Sequence, residues 1–287
     1  MSPNPLELHV AHADLVGQID GLLQSPWRPA FRLIYFDPPF FTQKTQSGDE
    51  GSYSDRWDSL EQYVATIAHW IESTFSLLAD DGFCVLHADY HASHYLKVAV
   101  DKIFGYRHFR NEWIWHYTGR RVPARRRVNS KHDVLLVWAK SDQAVMQPVY
   151  EPWTRNEYLH MKRQALHRDP DGREWIWGHQ GRGKSKAYRI YVDQHVERGR
   201  AIDSVWDIPI LNTSAKERRG YPTQKPVALL ERVIRLTTKP GDWVADFAAG
   251  SGTTGEAAVR LSRHAWLGDV SDQAIRVMRT RFGMGEG

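Results

Sequence analysis

Four consecutive residues, Asp37-Pro38-Pro39-Phe40, carry the clearest chemical pattern in the chain. A carboxylate oxygen and a neighbouring peptide carbonyl, such as that of Pro38, can together accept both hydrogens of an exocyclic amine. This draws the nitrogen lone pair out of conjugation and makes an unreactive amine nucleophilic. Phe40 offers a face on which the amine's ring can stack. The two prolines hold φ near about −65° and bias the residues before them toward extended backbone, so the carboxylate and the carbonyls point in set directions. Stiffness of this kind suits catalysis by positioning.

A second pattern lies two hundred residues on, at Asp246-Phe247-Ala248-Ala249-Gly250-Ser251-Gly252-Thr253-Thr254-Gly255. Gly250 and Gly252 permit a tight turn and close approach of a ligand to the backbone, as in nucleotide-binding strand-to-helix turns. Asp269 follows about 20 residues later, placed to accept hydrogen bonds from ribose hydroxyls. Glycine loop and downstream acid together point to a nucleoside-type cofactor.

Gly178-His179-Gln180-Gly181-Arg182-Gly183-Lys184-Ser185 satisfies the P-loop spacing. A P-loop also needs an apolar strand before it and a helix after it to cradle phosphate. Here residues 174–177 are short and polar, and residues 187–192 are rich in Tyr, Ile and Val, which favours strand. A nucleotide hydrolase is therefore the weaker reading. His87, His91 and His94 have spacings that could share a helix face, but no acidic partners complete a ligand set, so no metal is expected. His195-Val196-Glu197 matches half of a zinc deaminase signature, whose paired cysteines are missing from a chain with Cys84 as its single cysteine.

Both chemical patterns sit at strand ends. Residues 32–36, 83–87 and 243–247 are short apolar runs broken by polar residues, Gly or Pro, as buried parallel strands are. Residues 113–117, 132–138 and 265–268 read as further strands. Helical periodicity covers 60–78, 91–104, 227–236, 253–261 and 271–282. Alternating strand and helix predicts an α/β fold with a doubly wound, mostly parallel sheet, and ligands gather at the carboxyl ends of such strands. Residues from about 141 to 221 break the alternation and read as an insertion.

The 287 residues suffice for one large domain with an insertion. A lone cysteine excludes a disulfide scaffold, and the absence of a leader pattern or a long apolar run points to a cytoplasmic protein that does not span a membrane. The net charge is +4. Residues 120–220 hold 21 Lys and Arg against 12 Asp and Glu, so the positive charge is concentrated in one block. Arg120, Arg121, Arg125, Arg126 and Arg127 form its densest cluster, Arg182 and Lys184 lie in the glycine-rich stretch, and Trp153, Trp175, Trp177, Tyr188 and Tyr191 are interleaved. Arginines mixed with aromatics suit a polyphosphate bearing stackable bases.

Taken together, residues 37–40, residues 246–255 and Tyr221-Pro222-Thr223-Gln224-Lys225-Pro226 resemble the DNA amino-methyltransferases, in the permuted group whose catalytic motif precedes its cofactor motif. Ala13-Asp14-Leu15, residues 111–117 and Lys131-His132-Asp133 extend the resemblance, which omits only about residues 141–200. One departure is Ala248-Ala249, where the family more often has Pro and Gly. The resemblance implies a Rossmann-like, S-adenosylmethionine-dependent fold with a catalytic half at 1–140, a target-recognition insertion at 141–220 and a cofactor-binding half at 221–287.

It further implies methylation of an exocyclic amine in double-stranded DNA after base flipping, in the manner of restriction-modification enzymes. Adenine N6 is favoured by Asp37, with cytosine N4 as the alternative. Asp37, Pro38, Pro39 and Phe40 would be catalytic. Asp14, Asp37, Thr223, Gln224, Lys225, Asp246, Phe247, Ala248, Gly250, Ser251, Gly252, Thr253 and Asp269 would hold the cofactor. Arg120, Arg121, Arg125, Arg126, Arg127, Arg182 and Lys184 would contact DNA. A homodimer is a further expectation, and a noncatalytic DNA-binding module is the alternative from another class.

Overall fold

The computed structural model describes residues 5–25, 30–49, 51–119, 123, 126, 128–179, 187–212 and 214–285. Its first unit, residues 1–147 and 204–287, is built on an eight-stranded sheet. In chain order its elements begin β1 (Leu8–His12), α1 (Leu15–Gln24), β2 (Phe31–Phe36), the hairpin β3 (Thr45–Gly48) and β4 (Gly51–Ser54), α2 (Leu60–Thr74) and β5 (Leu78–Ala88). They continue with α3 (Ser93–Phe104), β6 (Phe109–His116) and β7 (His132–Ala139). The second unit, Pro148–Asp203, holds β8 (Tyr150–Glu151), α4 (Arg155–Lys162), β9 (His167–Arg168), β10 (Glu174–His179), β11 (Ala187–Tyr191), α5 (Val192–Arg198) and β12 (Arg200–Ala201). The chain then returns through β13 (Val205–Asp207), α6 (Val227–Thr237), β14 (Trp243–Asp246), α7 (Thr253–Arg260), β15 (His264–Asp269) and α8 (Asp272–Phe282).

The main sheet runs β1-β15-β14-β2-β5-β7-β6-β13. Neighbours from β1 to β5 are parallel, β7 is antiparallel to both β5 and β6, and β13 pairs parallel with β6. β2 lies between β14 and β5 with Phe31, Leu33, Ile34, Tyr35 and Phe36 all at 0–1% exposure. Such a strand needs apolar residues on both sides, which explains the run from Leu33 to Phe36. Each fully buried large side chain contributes about 1.5–3 kcal/mol relative to exposure.

Helices α1, α2 and α3 cover one face, packing Ile19, Ile67 and Val100 with Ile34, Cys84, Leu136 and Ala245 in one cluster. α6, α7 and α8 cover the other, with Leu267 of β15 packed against Met278 of α8. A Cβ at Gly255 would meet Leu267 Cδ1 at 2.4 Å, so glycine sets the spacing between α7 and β15. Ser59 and Ser271 cap α2 and α8, their hydroxyls accepting from Gln62 and Ala274 backbone N–H groups.

Several elements differ from the sequence reading. The helix expected over 60–78 ends at Thr74, passes through a 3₁₀ turn (Phe75–Leu77) and gives way to β5, because Leu78 already pairs with Phe31. The five-residue edge strand β1 and helix α1 had no counterpart in the pattern. The compact second unit is narrower than the 141–220 insertion, since residues 205–207 return to the main sheet. That unit is not irregular: β9, β10 and β11 form an antiparallel sheet, with Ile176, Val192 and Tyr158 as its core. No helix among the described residues is long and apolar enough to cross a membrane.

Candidate active site

β2 and β14 lie side by side and parallel, with Tyr35 opposite Asp246, so residues 37–40 and 247–251 leave the sheet together at its carboxyl edge. Between them is a cleft of about 300 Å³. Its walls comprise residues 37–40, residues 246–251 with Thr253 and Thr254, residues 13–15, residues 221–225 and residues 269–271. The two patterns separated by two hundred positions therefore share one cavity. Of the residues expected to bind cofactor, Gly252 is the exception: it caps α7 with φ +73° and lies under Met278, whose Cγ would be 2.8 Å from an added Cβ.

Asp37 is the centre of the polar arrangement. Its Oδ2 accepts from Lys225 Nζ at 2.5 Å, and its Oδ1 is buried without a hydrogen-bond partner. Lys225 Nζ also stands 5.1 Å from the centre of the Phe40 ring. Behind the carboxylate lies His87, fully buried, with Nδ1 2.8 Å from the Tyr35 hydroxyl and Nε2 3.3 Å from Asp133 Oδ2. Burial opposes ionisation of Asp133, but the hydrogen bond from His87, the Lys225 charge and the Tyr117 hydroxyl hold its carboxyl below the usual range.

On the opposite wall Asp246 accepts from Thr254 Oγ1 at 2.6 Å and from the Ala248 N–H at 3.2 Å. Complete burial nevertheless raises its pKa to about 7, with the Asp37 charge adding to the effect. Asp269 accepts from the N–H groups of Gly250 and Ser271, each at 2.9 Å, and burial raises its pKa as well. Gly250 takes φ +50° beneath the Tyr221 ring, which a Cβ would meet at 3.0 Å.

Asp14 lines the cleft while capping α1 through the Gly17 N–H at 2.8 Å. Thr223 takes a left-handed backbone, φ +56°, at the rim. The Gln224 amide is committed to its own loop: it accepts from Arg219 N–H and donates to the Glu217 carbonyl, both at 2.8 Å. Of the residues expected to contact DNA, Arg126 is exposed. Arg120, Arg121, Arg125, Arg127, Arg182 and Lys184 lie outside the described residues. The P-loop match joins β10 to β11, an antiparallel strand pair; a strand does precede it, contrary to expectation, but β11 rather than a helix follows.

Sequence reading missed Asp55, which is 1% exposed and lines the cleft. Its carboxylate accepts from Thr42 Oγ1 at 2.9 Å, from Gln46 Nε2 at 2.8 Å and from the Phe40 N–H, tying down the turn that carries Asp37. Burial raises its pKa against the pull of these bonds. Gln18 was missed too; it donates to the carbonyls of Ala13 at 2.9 Å and Phe247 at 3.2 Å, joining two walls of the cleft. His87 had entered only as a metal candidate. A rule that inspects every polar residue at the sheet's carboxyl edge finds His87 and Asp133.

A family model described as DNA methylase, of the N6/N4 methyltransferase type, matches residues 31–279. Type II methyltransferase M.HpaI of Haemophilus parainfluenzae is 25% identical over 251 residues, covering 87% of this chain and 67% of that protein. M2.DpnII of Streptococcus pneumoniae is 34% identical over 108 residues, covering 37% of this chain and 40% of that protein. The chain therefore matches about two fifths of M2.DpnII's length. Two solved structures share the fold: the M1.HpyAVI–SAM complex (TM-score 0.58, 19% identity, 96% of this chain and 98% of that one) and PvuII DNA methyltransferase, cytosine-N4-specific (0.61, 15%, 96% and 86%). With both motif loops meeting in one cleft and the family match spanning most of its length, this chain belongs to the N6/N4 DNA methylase family.

Proposed function

We propose that the chain transfers a methyl group from S-adenosylmethionine to the exocyclic N6 amine of an adenine turned out of duplex DNA. The observation that carries this reading is the shared cleft, with the unpartnered Asp37 Oδ1 at one wall and the glycine loop at the other.

The lining fits the cofactor. Asp14, Asp37, Asp55, Asp246 and Asp269 face Lys225 as the lone Lys or Arg among the lining residues, an imbalance suited to a ligand carrying a sulfonium and an ammonium. When bound, the cofactor supplies an electrophilic methyl group on a cationic sulfur. Asp269, steadied by two backbone N–H groups, keeps lone pairs for ribose hydroxyls. Ala248, Ala249 and Gly250 leave room for backbone approach, which supports a working loop despite the family departure. Asp14, Asp246, Thr223, Phe247, Ser251 and Thr253 complete the pocket, and Gln224 acts by shaping the loop that carries Thr223 and Lys225. Asp37 Oδ1 and the Pro38 carbonyl accept the amine hydrogens, and Phe40 stacks on the base.

Extruding a base costs a few kcal/mol, which phosphate contacts from the basic block offset. Within the unit Pro148–Asp203, Trp177 is opposite Arg189 and Trp175 opposite Tyr191 on one face of the β10–β11 pair. Arg173 lies 4.0 Å over Tyr191 and Arg189 4.8 Å over Trp175, while Ile176 on the other face packs into the unit's core. This cationic and aromatic face supports target recognition by that unit. Asp37, in place of the serine associated with N4 enzymes, supports adenine. Mass spectrometry of nucleosides from duplex DNA incubated with protein and S-adenosylmethionine tests the reading: N6-methyladenine is expected, and N4-methylcytosine as the sole product would overturn the choice of base.

A further inference from the structure

Methylating an exocyclic amine leaves a proton to be disposed of. As the new N–C bond forms, the C–S bond breaks with its electron pair passing to sulfur, and the amine nitrogen regains neutrality by losing one of its two hydrogens as a proton. In this cleft Asp37 Oδ2 is engaged by Lys225, while Oδ1 has no partner and stands 3.7 Å from His87 Nδ1.

The surroundings of His87 define how its ring is held. From β7, Asp133 Oδ2 faces Nε2 at 3.3 Å; being an ionised acceptor, it selects the tautomer with hydrogen on Nε2. Asp133 is itself braced by the Tyr117 hydroxyl at 3.1 Å, from the segment after β6. Tyr35 of β2 and Asp37 just after it also face the ring; the Tyr35 hydroxyl, kept protonated by burial and by the nearby Asp37, Asp246 and Asp133 charges, donates to Nδ1 at 2.8 Å. Lys225 supplies the cation before α6, and Asp89 lies two residues after His87. Phe40 and Trp115 close the ring off at 5.6 and 5.7 Å between centroids and do not titrate. With Nε2 donating to Asp133, Nδ1 accepts from the Tyr35 hydroxyl and lies 3.7 Å from Asp37 Oδ1, so an imidazole held between two carboxylates is arranged to take up a proton once that hydroxyl turns from donor to acceptor.

We infer that His87, oriented by Asp133, receives the amine proton by way of Asp37 Oδ1; this rests on the methylation reading above. The proton leaves nitrogen for Oδ1 and passes to Nδ1 as the Tyr35 hydroxyl rotates its own hydrogen away and becomes the acceptor of the new N–H. Asp37 returns to its ionised form, and the imidazolium sits between two carboxylates until product leaves and water enters. His87 touches neither base nor cofactor and acts through Asp37.

The test uses the full chain with duplex DNA and S-adenosylmethionine. Single-turnover methyl transfer is followed across neutral pH for wild type, His87→Asn and Asp133→Asn, and cofactor affinity is measured by calorimetry. Wild type should lose rate on the acid side, where the ring is already protonated. His87→Asn should bind cofactor normally, transfer methyl about 100-fold more slowly and show no acid limb. Asp133→Asn should move that limb to lower pH. Independently of activity, NMR of the ¹⁵N-histidine-labelled wild-type protein should show His87 titrating over the range of the limb, a measurement that stands even if a variant fails to fold. A His87→Asn enzyme that keeps the wild-type limb, or a His87 resonance constant across it, overturns the inference and leaves methylation intact. Absence of any methylated nucleoside with wild type overturns the reading beneath it.

Discussion

Lys225 Nζ and Asp37 Oδ2, 188 positions apart in the chain, form a largely buried ion pair at 2.5 Å. The pair leaves Oδ1 without a hydrogen-bond partner. Breaking a buried pair leaves an uncompensated charge and costs about 3–5 kcal/mol, whereas removing both partners costs less. Lys225→Met should therefore lower unfolding stability strongly, and Asp37→Asn added to it should restore part of the loss. A double-mutant cycle in denaturant measures the coupling, and additive losses would dispute it.

Asp37→Ala deletes the acceptor but leaves the glycine loop and Asp269 in place. Methyl transfer should fall by about a thousandfold or more, while calorimetry still detects S-adenosylmethionine binding. Undiminished transfer would remove Asp37 from its role.

Burial raises the pKa of Asp246 to about 7. The folded state then holds a proton that the unfolded state has already released, so stability falls as pH rises from the ordinary carboxylate range to about 7 and stays reduced above it. Asp246→Asn should melt at nearly the wild-type temperature below about pH 4 and be more stable by a few kcal/mol at pH 8, since every tenfold change in proton affinity on folding is worth about 1.36 kcal/mol. The same change should weaken cofactor binding, because it removes a charge matched to a cationic ligand. Equal stabilisation at both pH values would contradict the assignment.

The parts of this site that were legible in the sequence are those in which backbone constraint leaves a local mark. Prolines at 38 and 39 and glycines at 250, 252 and 255 announce a stiff corner and a tight loop, and the apolar runs beside them announce buried strands. His87, Asp133 and Asp55 leave no such mark. Each is one polar residue whose meaning depends on its place in the fold: β7 runs antiparallel to β5, so the beginning of β7 and the end of β5 meet at the same edge. The unit Pro148–Asp203 was opaque for another reason. Its core is a small cluster centred on Tyr158, Ile176 and Val192, its outer sheet face carries Trp and Arg, and neither helical nor alternating apolar spacing stands out.

Gly268 offers a test of packing beneath the cleft. A Cβ there would lie 1.7 Å from Gln18 Oε1, in the side chain that joins Ala13 to Phe247. Gly268→Ala should displace Gln18 and cost about 1–3 kcal/mol. Thermal unfolding measures the loss, and weakened cofactor affinity should accompany it; an unchanged melting temperature would show that the site has room.

On the face of the β10–β11 pair, Arg189 is exposed opposite Trp177. If that face meets DNA, Arg189→Ala should weaken binding and reduce the slope of log affinity against log salt by about 1. Fluorescence anisotropy at several salt concentrations reads both quantities, and an unaltered slope would free this arginine from phosphate contact.

The edge strand β1 is hydrogen-bonded to β15, and β2 is flanked on one side by β14. β1 therefore lacks its partner, and β2 one of its two, until the chain has reached residues more than two hundred positions further on. A chain cut before about residue 264 keeps the acidic corner but lacks β15 and Asp269, so it should have no complete pocket in which to seat the cofactor.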